Sequence, residues 1–402
     1  MRKPLLLIAG LLFLTAVEIL RVYFIMPFPG SQQSNTVGVA YFIDAYIWLL
    51  RLAGVAVVIS PLLYYLRRGK WWQKTILVIA VLVYEFIFYL FDFKFLADKM
   101  FYQPKQKLFA AASADSINKN QLIIGVAING QAKAYPIEVI GYHHQVKDTV
   151  GGTPVMVTYC TVCRTGRVYS PFVNGKYETF RLVGMDHFNA MFEDASTKSW
   201  WRQESGTAIT GKLKGTQLPE LPSRQMRLGD WLHLYPNSLV LLPDSHYTAD
   251  YDDLKGYDID TLHSSLEKRD SASWALKSWV IGVNIHGEAK AYDWNVLDRD
   301  KLIEDSVAGV PLLLTLENNG QTFYALNRNV GGRALHFAIA DIPAPGGGTA
   351  HTMMDKETNS TWRINGVCIF GALKDSALQP VQAYQEFWHS WSTFHPNTKK
   401  GE

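Results

Sequence analysis

Long apolar runs fill the first hundred residues of the chain. Three of them, at about residues 4–26, 38–66 and 75–91, are long enough for one membrane crossing each, since a spanning helix needs ~20 apolar residues. The first run continues past Arg21 without a small-residue cleavage pattern, which favours a retained anchor over a removable signal peptide. We therefore predict a membrane anchor with three transmembrane helices over residues 1–95.

Basic residues predict the orientation of this anchor. Arg2 and Lys3 precede the first span, and the segment RRGKWWQK joins the second span to the third, whereas PFPGSQQSNTVG between the first two carries no charge. Because basic loops stay inside, we expect a multi-pass protein of the inner membrane, with membrane lipid as its partner and its large C-terminal domain on the periplasmic or outer side. Glu18 and Arg21 share a helix face and predict an internal ion pair.

Short runs with a strand-like pattern follow from residue 100 onward. LIIGVAINGQAKAYPI reads as two strands around a glycine turn, PVMVTY as a buried strand, and GRVYSPFVNGKYETFRLV as two strands around Asn174-Gly175. A helix is expected after the first hairpin. The fold class predicted is α+β, mainly β, with three transmembrane helices before the globular domain.

The globular domain is internally duplicated. LIIGVAINGQAKAYPIEVI returns as WVIGVNIHGEAKAYDWNVL, at the offset of 157 residues that separates Gly125 from Gly282. WRQESGTAITGKL and WLHLYPN return as WRINGVCIFGAL and WSTFHPN. We predict a first copy over residues 100–245, a connector over 246–275 that is rich in Tyr and Asp and exposed, and a second copy over 276–398. Tryptophans found in both copies are expected in the core: Trp201, Trp362, Trp231 and Trp391.

Composition excludes some classes of function. The chain has 39 basic and 36 acidic residues in 402, so no basic field favours a nucleic-acid partner. Its three cysteines cannot make a disulfide framework. None of the common hydrolase, metalloprotease or nucleotide-binding fingerprints occurs.

The chemistry-bearing residues occur in the first copy alone. Cys160 and Cys163 form a C-x-x-C pair, but at the offset of 157 they align with Glu317 and Gly320. His144 likewise aligns with a lysine in the second copy. Because the second copy folds without these side chains, their role is additional to folding.

The leading hypothesis is a site for a soft metal ion, used for delivery or electron transfer. Two thiolates need further ligands, and imidazole with sulfur suits copper first and zinc second. His144 is the expected third ligand, His143 the alternate, and His187 could complete the shell. The expected supporting residues around these ligands are Tyr159, Asp148, Arg202 and Gln203.

Two other hypotheses stay open. Cys160 and Cys163 could cycle between dithiol and disulfide in a thiol-disulfide oxidoreductase, with Cys160 as the nucleophile. Alternatively, the pair is structural and the domain is a metal-free surface interaction module. Whether the domain is an enzyme therefore stays open as well. Arg164 and Arg167 flank the pair and are expected on the surface.

The motifs resemble those of a known family. AKAYPIEVIGYHHQVKDTVGGTPVMVTYCTVCRTGRVYS, followed by MFEDASTKSWWRQESGTAITGKLKGTQL, is similar to the bacterial and archaeal family called domain of unknown function 3179, over about residues 100–398. In that family a His-Glu-x-x-Asn-Asp stretch, a Tyr-Cys-Pro-x-Cys-Gly knuckle and a Ser-Leu-Trp-x-Gln stretch follow one another. Residues 144–148, 159–164 and 199–203 match these positions.

Some positions depart from the family pattern. Thr161 and Arg164 replace the Pro and Gly of the knuckle, and Gln145 replaces the Glu after the histidine. The resemblance implies where the domain and its site lie. It implies no reaction, because the family has no assigned activity.

Metal analysis tests the leading hypothesis. The purified protein is expected to carry a soft metal that Cys160→Ser and His144→Ala each lose, because each substitution removes a ligand. Elemental analysis of the three proteins is the measurement. Equal metal content in all three would defeat the hypothesis.

Overall fold

The computed structural model describes residues 2–111, 117–262, 264–340, 342–343 and 349–401. The chain forms two compact units. We call Met1–Tyr102 with Phe172–Leu218 the anchor unit, and Gln103–Pro171 with Pro219–Glu402 the core unit. Three long apolar helices precede a β-rich part. The predicted class, α+β and mainly β, is confirmed.

The described helices are α1 Arg2–Tyr23, α2 Val37–Ala45, α3 Ile47–Arg68, α4 Trp71–Phe93, α5 Ala97–Met100, α6 Ile137–His143, α7 Leu228–Leu234, α8 Thr248–Asp252, α9 Trp294–Asp300 and α10 Trp388–Phe394. Three of the described helices, α1, α3 and α4, are long, and the others are short.

The strands are short and form several small sheets. Up to the connector they are β1 Phe109–Ala111, β2 Leu122–Ile128, β3 Gln131–Pro136, β4 Gln145–Val150, β5 Thr153–Cys160, β6 Thr165–Tyr169, β7 Phe172–Val173, β8 Lys176–Tyr177, β9 Phe180–Asp186, β10 Asn189–Asp194, β11 Trp200–Arg202, β12 Ala208–Thr210, β13 Arg224–Arg227 and β14 Leu239–Leu241. After the connector they are β15 Trp279–Ile285, β16 Glu288–Asp293, β17 Leu302–Val307, β18 Val310–Leu316, β19 Phe323–Asn327, β20 Asn329–Val330, β21 Arg333–Ala334, β22 Phe337–Ile339, β23 Ile342–Pro343, β24 Thr349–Ala350, β25 Thr352–Asp355, β26 Thr361–Arg363, β27 Cys368–Phe370, β28 Gln379–Pro380, β29 Tyr384–Phe387 and β30 Lys399–Lys400.

Three helices of the anchor unit can cross a membrane. Lys3–Tyr23, Ile47–Arg68 and Trp71–Phe93 are long and apolar enough, by length and composition. Large apolar side chains stay exposed along all three, as expected of surfaces that face lipid. The three long apolar helices predicted for the first part of the chain are confirmed.

Ion pairs join these helices to one another. Arg51 on α3 donates to both carboxylate oxygens of Glu18 on α1, at 2.8 and 2.7 Å, and to Asp92 on α4 at 2.6 Å. Arg21 on α1 donates to the other oxygen of Asp92 at 2.6 Å. The expected pair between Glu18 and Arg21 is therefore replaced by pairs between helices. Charged groups in apolar surroundings need such partners, so these contacts hold the three helices in register.

A four-stranded sheet, in the order β12-β11-β10-β9, completes the anchor unit. The Met185 N–H donates to the Ile25 carbonyl at 2.7 Å. Gly184 lies beside that carbonyl, and a Cβ there would be 2.2 Å from the Ile25 oxygen. Arg181 of the sheet also pairs with Asp44 of α2 at 3.5 Å. Residues 172–218 therefore fold against the helices.

The core unit contains the same hairpin in two copies. β2 pairs with β3, and β15 with β16, in matching antiparallel registers. The turns are Asn129-Gly130 and His286-Gly287, and all four residues have positive φ, as a two-residue type I′ turn requires. A short helix follows each hairpin, and a three-strand meander, β4-β5-β6 or β17-β18-β19, follows each helix.

A tryptophan packs on a glycine in each copy. The Trp231 indole of α7 covers Gly125, where a Cβ would lie 2.5 Å from the ring, and Trp391 of α10 covers Gly282, where the distance would be 2.1 Å. Both indoles are almost fully buried. Glycine is needed at both positions because another side chain would displace the ring. The four tryptophans expected in the core, Trp201, Trp362, Trp231 and Trp391, are all buried.

The two copies meet through the strands before α7 and α10. β13 lies beside β2, and β29 beside β15. Gln225 of β13 donates to Gln385 of β29 at 2.6 Å, and these two residues occupy matching positions in the two copies. One apolar core contains residues from both copies, including Ile123 and Trp231 from the first and Leu313 and Trp362 from the second. The predicted copies are defined by repeated sequence, whereas the two compact units are defined by contacts within the structure. The predicted copy boundaries therefore stay a prediction.

The connector is partly buried, contrary to expectation. Tyr247, Tyr251 and Tyr257 are all buried, and so is Asp258. The Tyr257 hydroxyl donates to the Thr161 carbonyl at 2.8 Å. Aromatic side chains with a hydrogen-bonding tip suit such positions, so the tyrosines attach the connector to the first copy.

The glycine under Trp391 generates a stability prediction. Gly282→Ala is expected to lower the free energy of unfolding by about 2 kcal/mol, because the new methyl group overlaps the indole. Urea unfolding in detergent micelles measures the effect. The control is Gly229→Ala, where the nearest atom to a Cβ lies at an ordinary 3.4 Å and the change should stay within about 0.5 kcal/mol. Equal effects of the two substitutions would contradict this interpretation of the contact.

Candidate functional site

The two cysteines lie at the tip of the β5-β6 hairpin. Cys160 ends β5 opposite Thr165, and Arg164 turns the chain with a positive φ of 55°. The Arg164 N–H donates to the Thr161 carbonyl at 3.2 Å. Cys160 and Cys163 are both thiols, and both are buried. The hairpin and the turn place them side by side.

The two thiols contact each other. Burial raises the pKa of Cys163 well above its usual range, and a hydrogen bond with the Cys160 thiol raises it further. The Ser390 hydroxyl, from α10 of the second copy, lies close to Cys163 and opposes that rise in pKa. Cys163 is therefore protonated at neutral pH.

A lysine from the start of the second copy reaches the same hairpin tip. Lys277 Nζ donates to the carbonyl of Val162, between the two cysteines, at 2.8 Å, and to the Leu266 carbonyl at 2.6 Å. Burial lowers the pKa of Lys277, whereas the charges of Cys163 and Cys160 would raise it. This ammonium group can therefore stabilise a thiolate on either sulfur.

The start of α10 closes the site from the second copy. The Phe387 N–H donates to the Cys163 carbonyl at 2.8 Å, and His389 Nε2 lies 3.1 Å from the Val162 carbonyl. Burial and, to a lesser extent, the charge of Lys277 lower the pKa of His389 to about 4. The site thus combines a hairpin of one copy with a helix of the other.

The two arginines beside the cysteines are buried, so their expected surface position is wrong. Arg167 pairs with Glu386 at 3.1 Å, with both side chains shielded from solvent. Arg164 lies over the Trp279 ring at 3.9 Å and donates to the carbonyls of Tyr257 and Asp258. An arginine fork stacked on an aromatic ring is well suited to burial. Both arginines therefore fix the hairpin against the second copy and the connector.

The predicted histidine ligands are buried beside the cysteine hairpin. His144 has a positive φ of 57°, and its Nδ1 lies 3.0 Å from the Tyr159 carbonyl. Burial lowers the pKa of His144 to about 4, so the ring is neutral at neutral pH. His143 Nε2 lies 2.7 Å from the Tyr251 hydroxyl of the connector.

Within the described part of the chain, no three or more His, Cys, Asp or Glu side chains are grouped to hold a metal ion. The structure thus does not bring the predicted set of two cysteines and a histidine together as a metal centre. The individual residue roles stay a prediction.

Three of the other predicted site residues belong to the anchor unit. There His187 Nδ1 lies 2.6 Å from Asp186, and Arg202 donates to the same carboxylate at 3.0 Å. Gln203 accepts a hydrogen bond from Asn189 at 3.0 Å. These contacts lie within the sheet formed by residues 172–218.

The last two predicted supporting residues belong to the core unit. Asp148 accepts hydrogen bonds from Lys133 and Tyr135, both at 2.8 Å, and Asp305 accepts the matching pair in the second copy. The Tyr159 hydroxyl lies 3.4 Å from the Tyr257 hydroxyl. The repeated contact of Asp148 indicates a structural role.

Sequence reasoning missed the residues that the second copy supplies. Lys277, Glu386 and Ser390 are more than a hundred residues away from the cysteines in the chain, and none of them carries a local motif. The repeat offered one signal, because Ser390 precedes Trp391 just as Asp230 precedes Trp231. A position that differs between otherwise matching helices marks a place where the two copies differ in chemistry.

Fold and site together define a protein with three helices able to span a membrane and a duplicated α+β domain that holds a buried pair of thiols. The chain belongs to the family described as protein of unknown function (DUF3179), whose family model matches residues 103–398. The expected resemblance is thereby confirmed. Comparisons with curated proteins and with solved structures gave no match.

The buried imidazole of His144 generates a pH prediction. Its pKa in the folded state is about 4, below the value of about 6.5 for an unfolded chain, so its protonation favours unfolding. Stability is complete above pH ~6.5 and falls as the pH drops towards 4, by about 2 kcal/mol at pH 5.

Denaturant unfolding at pH 7.5 and pH 5.0 measures this loss. His144→Asn is the comparison, because Asn tolerates the positive φ and does not titrate. The variant should lose about 2 kcal/mol less than the native protein over this interval. Equal losses would show that His144 is not the titrating group.

Proposed function

We propose that the globular part is a redox dithiol domain on the outer side of the membrane, in which Cys160 and Cys163 cycle between two thiols and a disulfide. The observation that carries this proposal is the hydrogen bond between the two thiols at one hairpin tip. Two cysteines in a C-x-x-C pair can form a disulfide with little movement when their thiols are already within hydrogen-bonding distance. Lys277 beside them supplies the charge that thiolate formation needs.

The chemistry assigns different roles to the two sulfurs. Burial holds the proton on Cys163, so we assign the attacking role to Cys160. Its thiolate breaks the S–S bond of a small disulfide, RSSR, and forms a mixed disulfide while RS⁻ leaves and takes up a proton. Cys163 then attacks Cys160 and releases the second RSH. The domain loses two electrons and two protons, and RSSR becomes two RSH.

Burial of the site limits the reaction partner. Cys160 is 1% exposed and Cys163 is fully buried, so a partner reaches either sulfur only after a local opening of the structure. A small molecule needs a smaller opening than a folded protein does. We therefore propose a small disulfide or thiol as the partner. Lys277 supports the exchange by stabilising the thiolate and by accepting the thiol proton, since burial already lowers its own pKa.

Copper binding by the same two sulfurs is the second candidate. A pair of adjacent thiols offers two soft donors, which match Cu(I), and the nearby ammonium of Lys277 can offset the charge of two thiolates. A site of this kind needs neither His144 nor His187. Copper binding would release protons from the thiols without oxidising the sulfurs, whereas the dithiol proposal includes their oxidation.

The orientation in the proposal follows from the charges of the anchor. Arg67, Arg68 and the two lysines after them lie where the second span ends and the third begins, and basic segments of this kind stay in the cytoplasm. Three spans then bring residues 103–398 to the opposite side. Disulfides persist in such oxidising compartments.

Thiol counting in redox buffers tests the proposal. The full-length protein in detergent is equilibrated with mixtures of reduced and oxidised glutathione, denatured, alkylated and weighed by mass spectrometry. Two thiols should be lost together, in wild type and in Cys368→Ser, but not in Cys160→Ser or Cys163→Ser. Lys277→Met should slow the oxidation about tenfold, whereas the exposed control Lys268→Met should not.

Other results would favour the alternative functions or contradict the orientation. Thiols that persist under all buffers, together with one Cu(I) per chain that both cysteine variants lose, would replace the dithiol function by copper binding. Persisting thiols without copper would leave the metal-free interaction module. A membrane-impermeant disulfide that oxidises the pair in lysed cells but not in intact cells would overturn the orientation.

A further inference from the structure

A second polar site lies at the hairpin tip of the second copy, which lacks the C-x-x-C pair. A cavity of about 700 Å³ is lined by Asp230 of α7, Glu317 just after β18, Tyr324 of β19 and Arg363 of β26, with His233 and His351 also in its wall. Its volume is typical of a pocket for a small organic ligand. Neither the proposed dithiol chemistry nor the copper alternative uses any of these residues.

The carboxylate of Asp230 is held in place from the second copy. Its Oδ2 accepts hydrogen bonds from the Asn319 amide at 2.7 Å and from the Thr322 hydroxyl. These two donors fix the position of the carboxylate. Asp230 therefore presents a fixed negative charge to the cavity.

Glu317 responds to that charge. Burial raises the pKa of Glu317 to about 7, the charge of Asp230 adds to the rise, and a hydrogen bond from the Tyr324 hydroxyl opposes it. At neutral pH the two carboxyl groups together therefore carry between one and two negative charges. A positive group placed beside them would favour the loss of the Glu317 proton.

The other charged and titratable groups around the cavity come from separate elements. His233 lies on α7 and is exposed, His351 precedes β25 and is half-buried, and Arg363 on β26 is exposed. Burial raises the pKa of Tyr324, and the charge of Arg224 on β13 opposes this rise. The cavity therefore offers a carboxyl pair and a guanidinium group to one ligand.

The cavity occupies the place of the cysteine site in the repeated fold. Glu317 aligns with Cys160, and Asp230 aligns with Ser390, which contacts Cys163. In each case a helix from one copy faces the hairpin tip of the other. The duplication has thus given the same position two chemistries, thiols in one copy and carboxyl groups in the other.

We propose that this cavity binds an amino-acid or short-peptide zwitterion, with the ligand's ammonium group at Asp230 and Glu317 and its carboxylate at Arg363. Charge complementarity carries the assignment, because a zwitterion satisfies the carboxyl pair and the guanidinium at once, whereas a neutral sugar leaves both charges unpaired. A bare metal ion is a poorer match, since the described residues group no three ligands of the kind that hold one. Binding releases the Glu317 proton.

Calorimetric titration of the full-length protein with dialanine tests this proposal. Saturable binding is expected, about tenfold tighter at pH 7.0 than at pH 5.5, because the competent, ionised form of Glu317 is scarce at the lower pH. Dialanine blocked at both ends by acetyl and amide groups has the same shape without charges. It should bind at least tenfold more weakly.

Variants separate the two ends of the ligand. Asp230→Asn and Arg363→Gln should each weaken dialanine binding about tenfold or more, and Glu317→Gln should also remove the pH dependence. Arg363 is exposed, so its substitution leaves folding intact. The control Arg299→Gln removes another exposed guanidinium of the second copy, which pairs with Asp300, and should change nothing.

Several results would overturn the proposal. These are the absence of saturable dialanine binding, equal binding of the blocked peptide, unchanged affinity in Arg363→Gln, or glucose or Ca²⁺ binding in place of dialanine. The cysteine variants Cys160→Ser and Cys163→Ser should bind dialanine normally. The test therefore stands or falls independently of the dithiol proposal.

Discussion

The contact of an indole with a bare glycine determines where both sites of the core unit can form. Trp231 on Gly125 and Trp391 on Gly282 fix α7 and α10 against the central hairpins, and an almost fully buried tryptophan contributes a large apolar area to such a contact. Each helix then reaches the hairpin tip of the other copy, where α7 brings Asp230 to Glu317 and α10 brings Ser390 to Cys163. Because the helices are exchanged in this way, neither site can be built by one copy alone. The shared core and the contact between Gln225 and Gln385 belong to the same exchange.

Local sequence patterns were sufficient for the elements of the fold. Asn129-Gly130 and His286-Gly287 form the turns that the pattern predicts, and the paired tryptophans are buried as the repeat indicates. These features depend on neighbours in the chain or on a comparison of one copy with the other. The sequence therefore predicts the strands, the hairpins and the three long helices.

Contacts between distant parts of the chain were not predictable in the same way. Arg164 and Arg167 look like surface residues of a turn, yet an aromatic ring, a carboxylate and the connector enclose them. The connector has the composition of an exposed loop, but its tyrosines find hydrogen-bond partners in the first copy. Lys277 reaches the cysteines although no motif marks it. Composition reports the average environment of a residue type, and each of these residues is an exception made possible by a specific partner.

Ion pairs play different parts in the two units. In the anchor unit Asp92 bridges Arg21 and Arg51, so three helices share one continuous set of charges in apolar surroundings. In the core unit the pair of Lys133 with Asp148 recurs as Lys290 with Asp305 and belongs to the repeated scaffold. The pair of Arg167 with Glu386 has no counterpart at the matching positions, which hold Tyr324 and Met226. A buried pair of this last kind adds little net stability, because the desolvation of both charges offsets their attraction.

The inclusion of residues 172–218 in the anchor unit has a consequence for release of the protein from its membrane. A cut near Tyr102 would leave the sheet of β9 to β12 joined to the rest of the chain but would remove the helices that it contacts. The Met185 amide would lose its Ile25 partner, Arg181 would lose Asp44, and a strand edge would become available to other chains. Proteolytic shedding at that position would therefore yield a fragment prone to self-association. Membrane attachment is in this sense a part of the folded structure.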